Sequence, residues 1–166
     1  DETYAGICGI TDEELHKHLD DRVTEMAKTK GLSTDECYAK LKKMYDGYHF
    51  YQNTEGVYNP FSLLNALVKK KFDAWWFETG TPTFLVKRLK DIDFDVKKFS
   101  DKTLQATETT ISDYRIDNPN PIPLLYQTGY LTIIDYDSVG REYTLGFPNE
   151  EVKYGFVECL LPEYVV

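Results

Sequence analysis

Residues 121–152 read PIPLLYQTGYLTIIDYDSVGREYTLGFPNEEV, and this run carries a helix signal followed by two strand signals. Its first nine residues predict a short helix that ends at Gly129, because glycine readily adopts the left-handed conformation at a helix C-terminus. The runs 130–136 and 142–147 are rich in β-branched and aromatic residues, and the turn residues 137–141 separate them. This pattern predicts a β-hairpin directly after the helix.

A last helix is predicted where this run ends. Pro148-Asn149-Glu150-Glu151 offers an asparagine N-cap and two acidic residues in the first turn, where they favour the helix dipole. The apolar positions that follow at helical spacing are Val152, Phe156, Cys159 and Leu160. A helix, a two-stranded wing and a helix in this order indicate a winged-helix-like module. We assign it to residues 101–166 and expect a strand around 103–107.

The sequence before this module predicts helices. Thr11-Asp12-Glu13-Glu14 and Ser33-Thr34-Asp35-Glu36 are capping boxes, so one helix is expected from Thr11 to Gly31 and another from Ser33 to residue 46. Asn59-Pro60 caps a third helix. Its expected apolar face consists of Phe61, Leu64, Leu67 and Val68. We therefore assign residues 1–100 to a helical bundle and the whole chain to a mainly α fold with a small β component.

Composition and charge limit the possible functions. The chain has 166 residues, 42% of them hydrophobic, which suits one medium domain or two small ones. Its net charge of −9 repels nucleic acids and anionic membranes. There is no apolar run of about 20 residues and no signal peptide pattern, so we expect a cytoplasmic protein that does not contact a membrane. The lack of an initiator Met suggests a segment of a longer protein.

Known catalytic and metal-binding motifs are missing or poorly placed. The sequence contains no phosphate-binding loop, and its three cysteines are far apart without a zinc-binding pattern. Glu151-Val152-Lys153 matches the Glu-x-Lys pair of metal-dependent nucleases, but that chemistry needs both side chains on one strand, and we expect Glu151 in a helix with a structural role. Residues 121–129 lack Lys and Arg, so packing or protein contact is favoured over DNA binding.

Two aromatic turn motifs have two possible uses. Tyr45-Asp46-Gly47-Tyr48 and Tyr58-Asn59-Pro60-Phe61 combine turn residues with aromatic rings that can fix the geometry of a loop. The alternative is a peptide or ligand groove with tyrosine hydroxyls at its rim. That groove would be built from Tyr45, Tyr48, Tyr58, Trp75 and Trp76.

A helix start after Gly80 is a candidate anion site. Thr81 can act as N-cap and Pro82 suits the first helical position, so a helix is expected over Phe84, Leu85 and Leu89. Its free N–H groups point towards Gly80, where a phosphate could approach the backbone. Most helix starts bind nothing, so the site is a hypothesis.

The motifs taken together resemble the bacterial family of AAA-ATPase-like proteins, in which an ATPase region is often followed by a PD-(D/E)xK nuclease-like domain. The matching segments cover nearly all of the chain: 45–50, 57–62, 76–85, 124–133 and 143–149. The phosphate loop, the acidic Mg²⁺ motif and the nuclease-like domain of the family are not in this sequence. The resemblance implies that the chain is the C-terminal lid and winged-helix part of the ATPase region.

The resemblance also implies a nucleotide contact. A Gly-x-Pro motif at the start of a lid helix lies against the nucleotide in related ATPases, and Gly80-Thr81-Pro82 matches it, which makes Thr79 to Pro82 the implied cofactor-binding residues. The full-length protein would use ATP or ADP with Mg²⁺, held by a P-loop core elsewhere in the same protein, and this chain would supply no catalytic residue. A protein- or DNA-binding winged-helix module is the alternative. Other motif residues with an implied structural or interaction role are Tyr45, Asp46, Gly47, Tyr48, Tyr58, Asn59, Pro60, Trp76, Gln127 and Gly129.

Overall fold

The computed structural model describes residues 9–50, 54–79, 83–91, 98, 104–113, 115 and 118–164. Helices dominate, and one three-stranded antiparallel sheet completes the fold. The expectation of a mainly α fold with a small β component is confirmed. Within the described part of the chain, no helix is long and apolar enough to cross a membrane.

Four helices build the first half of the structure. They are α1 (Asp12–His18), α2 (Asp20–Lys30), α3 (Thr34–Tyr45) and α4 (Pro60–Lys69). Both predicted capping boxes are present, because the Thr11 and Ser33 hydroxyls accept from the backbone N–H three residues on and each Glu side chain accepts in return. Gly31 ends α2 with φ 66°. Their buried side chains form the helical core together with Tyr58 and Trp75, which lie outside these helices. The members from the helices are Leu15, Val23, Met26, Ala27, Cys37, Leu41, Tyr45, Leu63, Ala66 and Leu67.

The helix expected from Thr11 to Gly31 is broken at Leu19, so that prediction was wrong in this respect. Leu19 has φ −126° and ψ 10°, and it is both the C-cap of α1 and the N-cap of α2. Tyr38 on α3 contacts both sides of the break: its ring stacks on His16, and its hydroxyl donates to Asp20 Oδ1 at 2.7 Å. A tertiary contact of this kind outweighs a weak local helix preference.

The buried face of α4 also differs from the expected one. Leu63, Ala66 and Leu67 are buried, whereas three of the expected apolar positions are exposed. The exposed positions are Phe61 (46%), Leu64 (43%) and Val68 (71%). Both sets have helical spacing, and the helix is oriented so that 63, 66 and 67 meet the core.

The second half of the structure surrounds the sheet. The elements named in its described residues are α5 (Thr83–Asp91), β1 (Leu104–Thr107), α6 (Glu108–Ile111), α7 (Ile122–Gln127), β2 (Thr132–Asp137), β3 (Glu142–Gly146) and α8 (Glu150–Tyr164). The strand order is β1-β3-β2, and both pairs are antiparallel. The predicted hairpin is β2 and β3, with a register shift between Ile133 and Asp135. A bulge there places Ile134 without an opposite partner.

The side chains around the sheet form a second core, the sheet core, which includes α5. Its buried members are Leu85, Val86, Leu89, Leu104, Ala106, Ile111, Ile122, Leu125, Leu131, Ile133, Leu145 and Phe156. Leu89 and Phe156 are fully buried, and α5 lies against α8. Helix α5 therefore precedes residue 100 in sequence but packs with the elements that follow it. The division of the chain at residue 100 stays a prediction.

Candidate functional site

A groove of about 360 Å³ lies between the two cores. One wall comes from the loop before α4, and the opposite wall comes from the end of α7 and the start of β2. We call it the interdomain groove, and it is lined by Tyr48, His49, Phe50, Val57, Tyr58, Asn59, Pro60, Trp76, Tyr126, Gln127, Thr128, Gly129, Leu131 and Thr132. Seven of the residues singled out in the sequence motifs are therefore found together: Tyr48, Tyr58, Asn59, Pro60, Trp76, Gln127 and Gly129.

Gly129 shapes one side of the interdomain groove. The end of α7 closes with backbone bonds from Gly129 N to Tyr126 O and from Tyr130 N to Leu125 O, which is the Schellman pattern, and Gly129 takes φ 82° there. A Cβ at Gly129 would lie 3.6 Å from Trp76 Cη2 and 3.7 Å from Tyr48 Cε1. Because glycine has no Cβ, the space beside these two rings stays open.

Trp76 connects the groove to an aromatic cluster. Its ring centroid is 5.0 Å from that of Tyr130 and 5.6 Å from that of Phe77. Tyr130 in turn contacts Phe156 of the sheet core at 5.3 Å. The ring of Trp76 is thus held in place by neighbours, as a rigid binding wall requires.

The segment around His49 joins the two walls. Tyr48 and Val57 form an antiparallel bridge, with Tyr48 N to Val57 O at 3.2 Å and Val57 N to Tyr48 O at 3.0 Å. His49 N donates to Thr132 Oγ1 at 2.8 Å, and the same hydroxyl donates to His49 O at 3.1 Å. The His49 Nδ1 atom lies 2.8 Å from Thr54 O. Residues 83 positions apart are therefore linked through one threonine hydroxyl.

A second set of contacts, which we call the seam, joins α3 to the start of α8. Gly47 has φ 95°, and a Cβ there would lie 2.2 Å from the backbone oxygen of Pro148. Asn149 Nδ2 donates to Asp46 O at 2.9 Å, while Asn149 Oδ1 caps α8 by accepting from Val152 N at 3.1 Å. The seam thus explains the Asp46-Gly47 motif, because only glycine allows this approach of two backbones.

Glu151 is a fully buried carboxyl group beside the seam. Its Oε1 accepts from the backbone N–H of Trp76 at 2.9 Å. Burial raises the pKa of Glu151, while hydrogen bonds from the backbone of Trp76 and from nearby Ser62 oppose that rise. The Ser62 hydroxyl is close enough to lower the pKa of Glu151. The geometry between them is nevertheless poor, and neither Ser62 Oγ nor Glu151 Oε2 has a well-formed hydrogen bond among the described residues. Burial also raises the pKa of Asp46.

This environment agrees with a structural role for Glu151. It lies in the first turn of α8, while Lys153 is exposed. No cluster of three or more His, Cys, Asp or Glu side chains suited to a metal ion occurs in the part of the chain that the structure describes. Because Glu151 and Lys153 both lie in a helix, the Glu-x-Lys pattern does not have the strand arrangement that the nuclease chemistry needs.

A polar cavity of about 480 Å³ lies on the other side of His49. Lys42 Nζ is 3.8 Å from Asp12 Oδ2 and 3.9 Å from Asp46 Oδ2, so its charge is balanced within the cavity. Lys43 pairs with Glu150 at 2.8 Å. These pairs leave no concentration of one charge for an ionic ligand.

Two of the aromatic residues proposed for a groove lie in the helical core instead. Tyr45 is fully buried; its hydroxyl donates to Asp73 O and accepts from Asp73 N, both at 2.9 Å. Trp75 is 4% exposed, and its Nε1 donates to Lys71 O. Asn59 has a capping role, because its Oδ1 accepts from the backbone N–H groups of Phe61 and Ser62.

The implied nucleotide-binding residues are only partly described. Thr79 ends a short 3-10 turn, Phe77–Thr79, and α5 begins at Thr83. Gly80, Thr81 and Pro82 lie outside the described residues. Helix α5 itself forms as the sequence predicts, with Leu85 and Leu89 buried.

Sequence reasoning missed three parts of the site. Thr132, His49 and the Glu151 contact to Trp76 carry no local signal, because their partners are 75 to 83 residues away. Only Glu151 had a weak signal of burial in the sequence. It lies next to the apolar face of the last helix, which includes Val152 and Phe156.

Comparison with known proteins gives one informative match. A protein of Azotobacter chroococcum mcd 1, described as an uncharacterized protein in the vnfD 5′ region, is 35% identical over 169 residues. The match covers 99% of this chain but 30% of that protein, so the chain spans less than a third of the length of its relative. No family model matches the chain, and no solved structure matches it.

Proposed function

We propose that this chain is the C-terminal regulatory part, lid plus winged helix, of an AAA-like ATPase. A nucleotide held by a P-loop core outside the chain would also touch the turn before α5, and the change between ATP and ADP would alter the arrangement of the units. The observation that carries the proposal is the packing of α5. Leu85, Val86 and Leu89 are at most 5% exposed and belong to the sheet core. A contact made just before α5 would reach that core through a packed helix.

The element order supports the winged-helix part of the proposal. Among the described residues from α5 to β3, the named elements follow in the order helix, strand, helix, helix, strand, turn, strand, with β3 in the middle of the sheet. In a winged-helix module α7 would be the recognition helix, but Ile122–Gln127 contains no Lys or Arg. Without cations the module would lack the electrostatic attraction that most DNA binding needs. We therefore favour protein contact over DNA as its use.

Several contacts between the cores are hydrogen bonds, and these support a regulatory role. Asn149 to Asp46, Glu151 to Trp76 and His49 to Thr132 are all hydrogen bonds. Interfaces of this kind separate more readily than apolar ones, which suits units that change their arrangement. Arg88 on α5 donates to Asn118 O at 2.9 Å. The proposal gives it no part in hydrolysis, which it assigns to sequence outside this chain.

The proposal predicts a split nucleotide site. Titration calorimetry with Mg²⁺-ATP and with ADP would compare this chain with the longer protein that includes the upstream P-loop core. We expect saturable binding by the longer protein and no measurable heat with this chain alone, because this chain supplies one contact to the nucleotide rather than the phosphate loop. Binding by this chain alone with similar affinity, or no binding by the longer protein, would contradict the proposal.

A further inference from the structure

We propose that the interdomain groove binds the uncharged planar ring of a small heteroaromatic ligand, which contacts both cores at once. This site is separate from the nucleotide contact proposed above and does not depend on it. The proposal rests on the charge, the shape and the polar rim of the groove.

Among the described residues that line the groove there is no Asp, Glu, Lys or Arg, although the chain has 19 basic and 28 acidic residues. Among the described lining residues, His49 is the one with a basic side chain, and its Nδ1 is already hydrogen-bonded to Thr54 O. A charged ligand would lose its hydration here without gaining an opposite charge. Because the described residues of both walls are uncharged, the groove favours a neutral ligand.

The shape of the groove favours a flat ligand. The rings of Trp76 and Tyr48 both line the groove, and their edges lie 3.6 Å and 3.7 Å from the position of a Cβ at Gly129. Aromatic walls gain most from a planar ring that can stack or meet them edge to face. The volume of about 360 Å³ is at the lower end of small-molecule sites, which suits one or two fused rings rather than a folded peptide segment.

The rim offers hydrogen bonds to a ring heteroatom. Gln127 is exposed, and its amide makes no hydrogen bond with the part of the chain that the structure describes. One primary amide supplies both a donor and an acceptor. The neighbouring Thr128 hydroxyl already donates to Leu124 O at 2.6 Å, whereas Gln127 at the rim and the buried Tyr48 hydroxyl can still bond a ring heteroatom. Gln127 is the exposed one of the two.

A ring in the groove would touch both halves of the structure. Tyr48 and Pro60 lie on the wall that belongs to the helical core, whereas Gln127 and Gly129 lie on the wall that belongs to the sheet core. Ligand bound across the two walls would stabilise their present arrangement relative to any separated one.

Indole is a suitable probe because it is planar, uncharged and carries one N–H group. Amide chemical shifts would be followed while indole, and separately cyclohexanol, is added to this chain. We expect indole to shift the signals of Tyr48, Trp76 and Gly129 with a millimolar dissociation constant, and cyclohexanol to bind at least about fivefold more weakly because it cannot stack. Gln127→Ala should weaken indole binding about threefold through loss of one hydrogen bond.

Two variants complete the test. Trp76→Ala should weaken indole binding about tenfold or more, while Val139→Ala, at a 93% exposed turn position, should leave it unchanged. If Trp76→Ala does not fold, the exposed Gln127 variant decides. Equal binding of cyclohexanol and indole, shifts that map away from the groove, or indole binding unaffected by Gln127→Ala would each overturn the proposal. None of these outcomes bears on ATP binding by the longer protein.

Discussion

Replacing Gly47 with alanine is expected to lower the free energy of unfolding by about 3 kcal/mol or more. The added Cβ would lie 2.2 Å from the oxygen and 3.1 Å from the carbonyl carbon of Pro148. Both are backbone atoms, so no side-chain rotation can relieve the clash. Either the seam must separate or the start of α8 must move. Urea unfolding followed by circular dichroism measures the loss.

Gly31 is a matched control for this substitution. It also has a positive φ, 66°, but no atom lies within 4 Å of the position a Cβ would take. Gly31→Ala should therefore cost only the strain of the left-handed conformation, about 1–2 kcal/mol. The difference between the two variants measures the close approach of Pro148. Equal losses would show that the seam is not packed as described.

Removing the buried carboxyl group is the second change with a large expected effect. Glu151→Ala should cost about 2–4 kcal/mol, because it leaves a cavity and leaves the backbone N–H of Trp76 without its acceptor. Glu151→Gln is the matched control. Its amide oxygen can still accept from Trp76, and its amide nitrogen can donate to Ser62 Oγ, which lacks a partner among the described residues. We expect the free energy of unfolding of Glu151→Gln at pH 4 to lie within about 1 kcal/mol of that of the native protein.

The pH dependence of this pair follows from the pKa of Glu151. Burial raises that pKa above its ordinary value of 4.5, so the folded protein holds the proton more tightly than the unfolded chain does. The resulting stability is fully present below pH 4.5 and is lost as the pH rises through the folded-state pKa. Glutamine does not titrate, so Glu151→Gln should gain stability relative to the native protein between pH 4 and pH 8. A constant difference over that range would mean that folding does not raise the pKa of Glu151.

Local signals in the sequence predicted much of the fold. The capping boxes at Thr11 and Ser33, the end of α7 at Gly129 and the β2-β3 hairpin all depend on interactions within a few residues, and all are found in the structure. Helix α5 was predicted from Thr81 and Pro82 as the residues that start it, and a helix is found at Thr83–Asp91.

Features that depend on distant contacts were not predictable. The break at Leu19 is fixed by Tyr38 on another helix, and two equally regular apolar sets competed for the buried face of α4. Which aromatic residues line the groove was likewise undetermined: Tyr45 and Trp75 have the same chemistry as Tyr48 and Trp76 but pack into the helical core. Periodicity gives the spacing of apolar residues, whereas tertiary packing decides between spacings.

The proposed contact between a nucleotide held outside this chain and the residues before α5 is tested most directly by Gly80→Asp in the longer protein. A carboxylate at this turn would repel the phosphates, whereas Val139→Asp adds the same charge at a 93% exposed turn. Calorimetry should show ATP binding weakened about tenfold or more, about 1.4 kcal/mol, by Gly80→Asp and unchanged by Val139→Asp. Identical affinities for the native protein and Gly80→Asp, with both variants folded, would contradict the account.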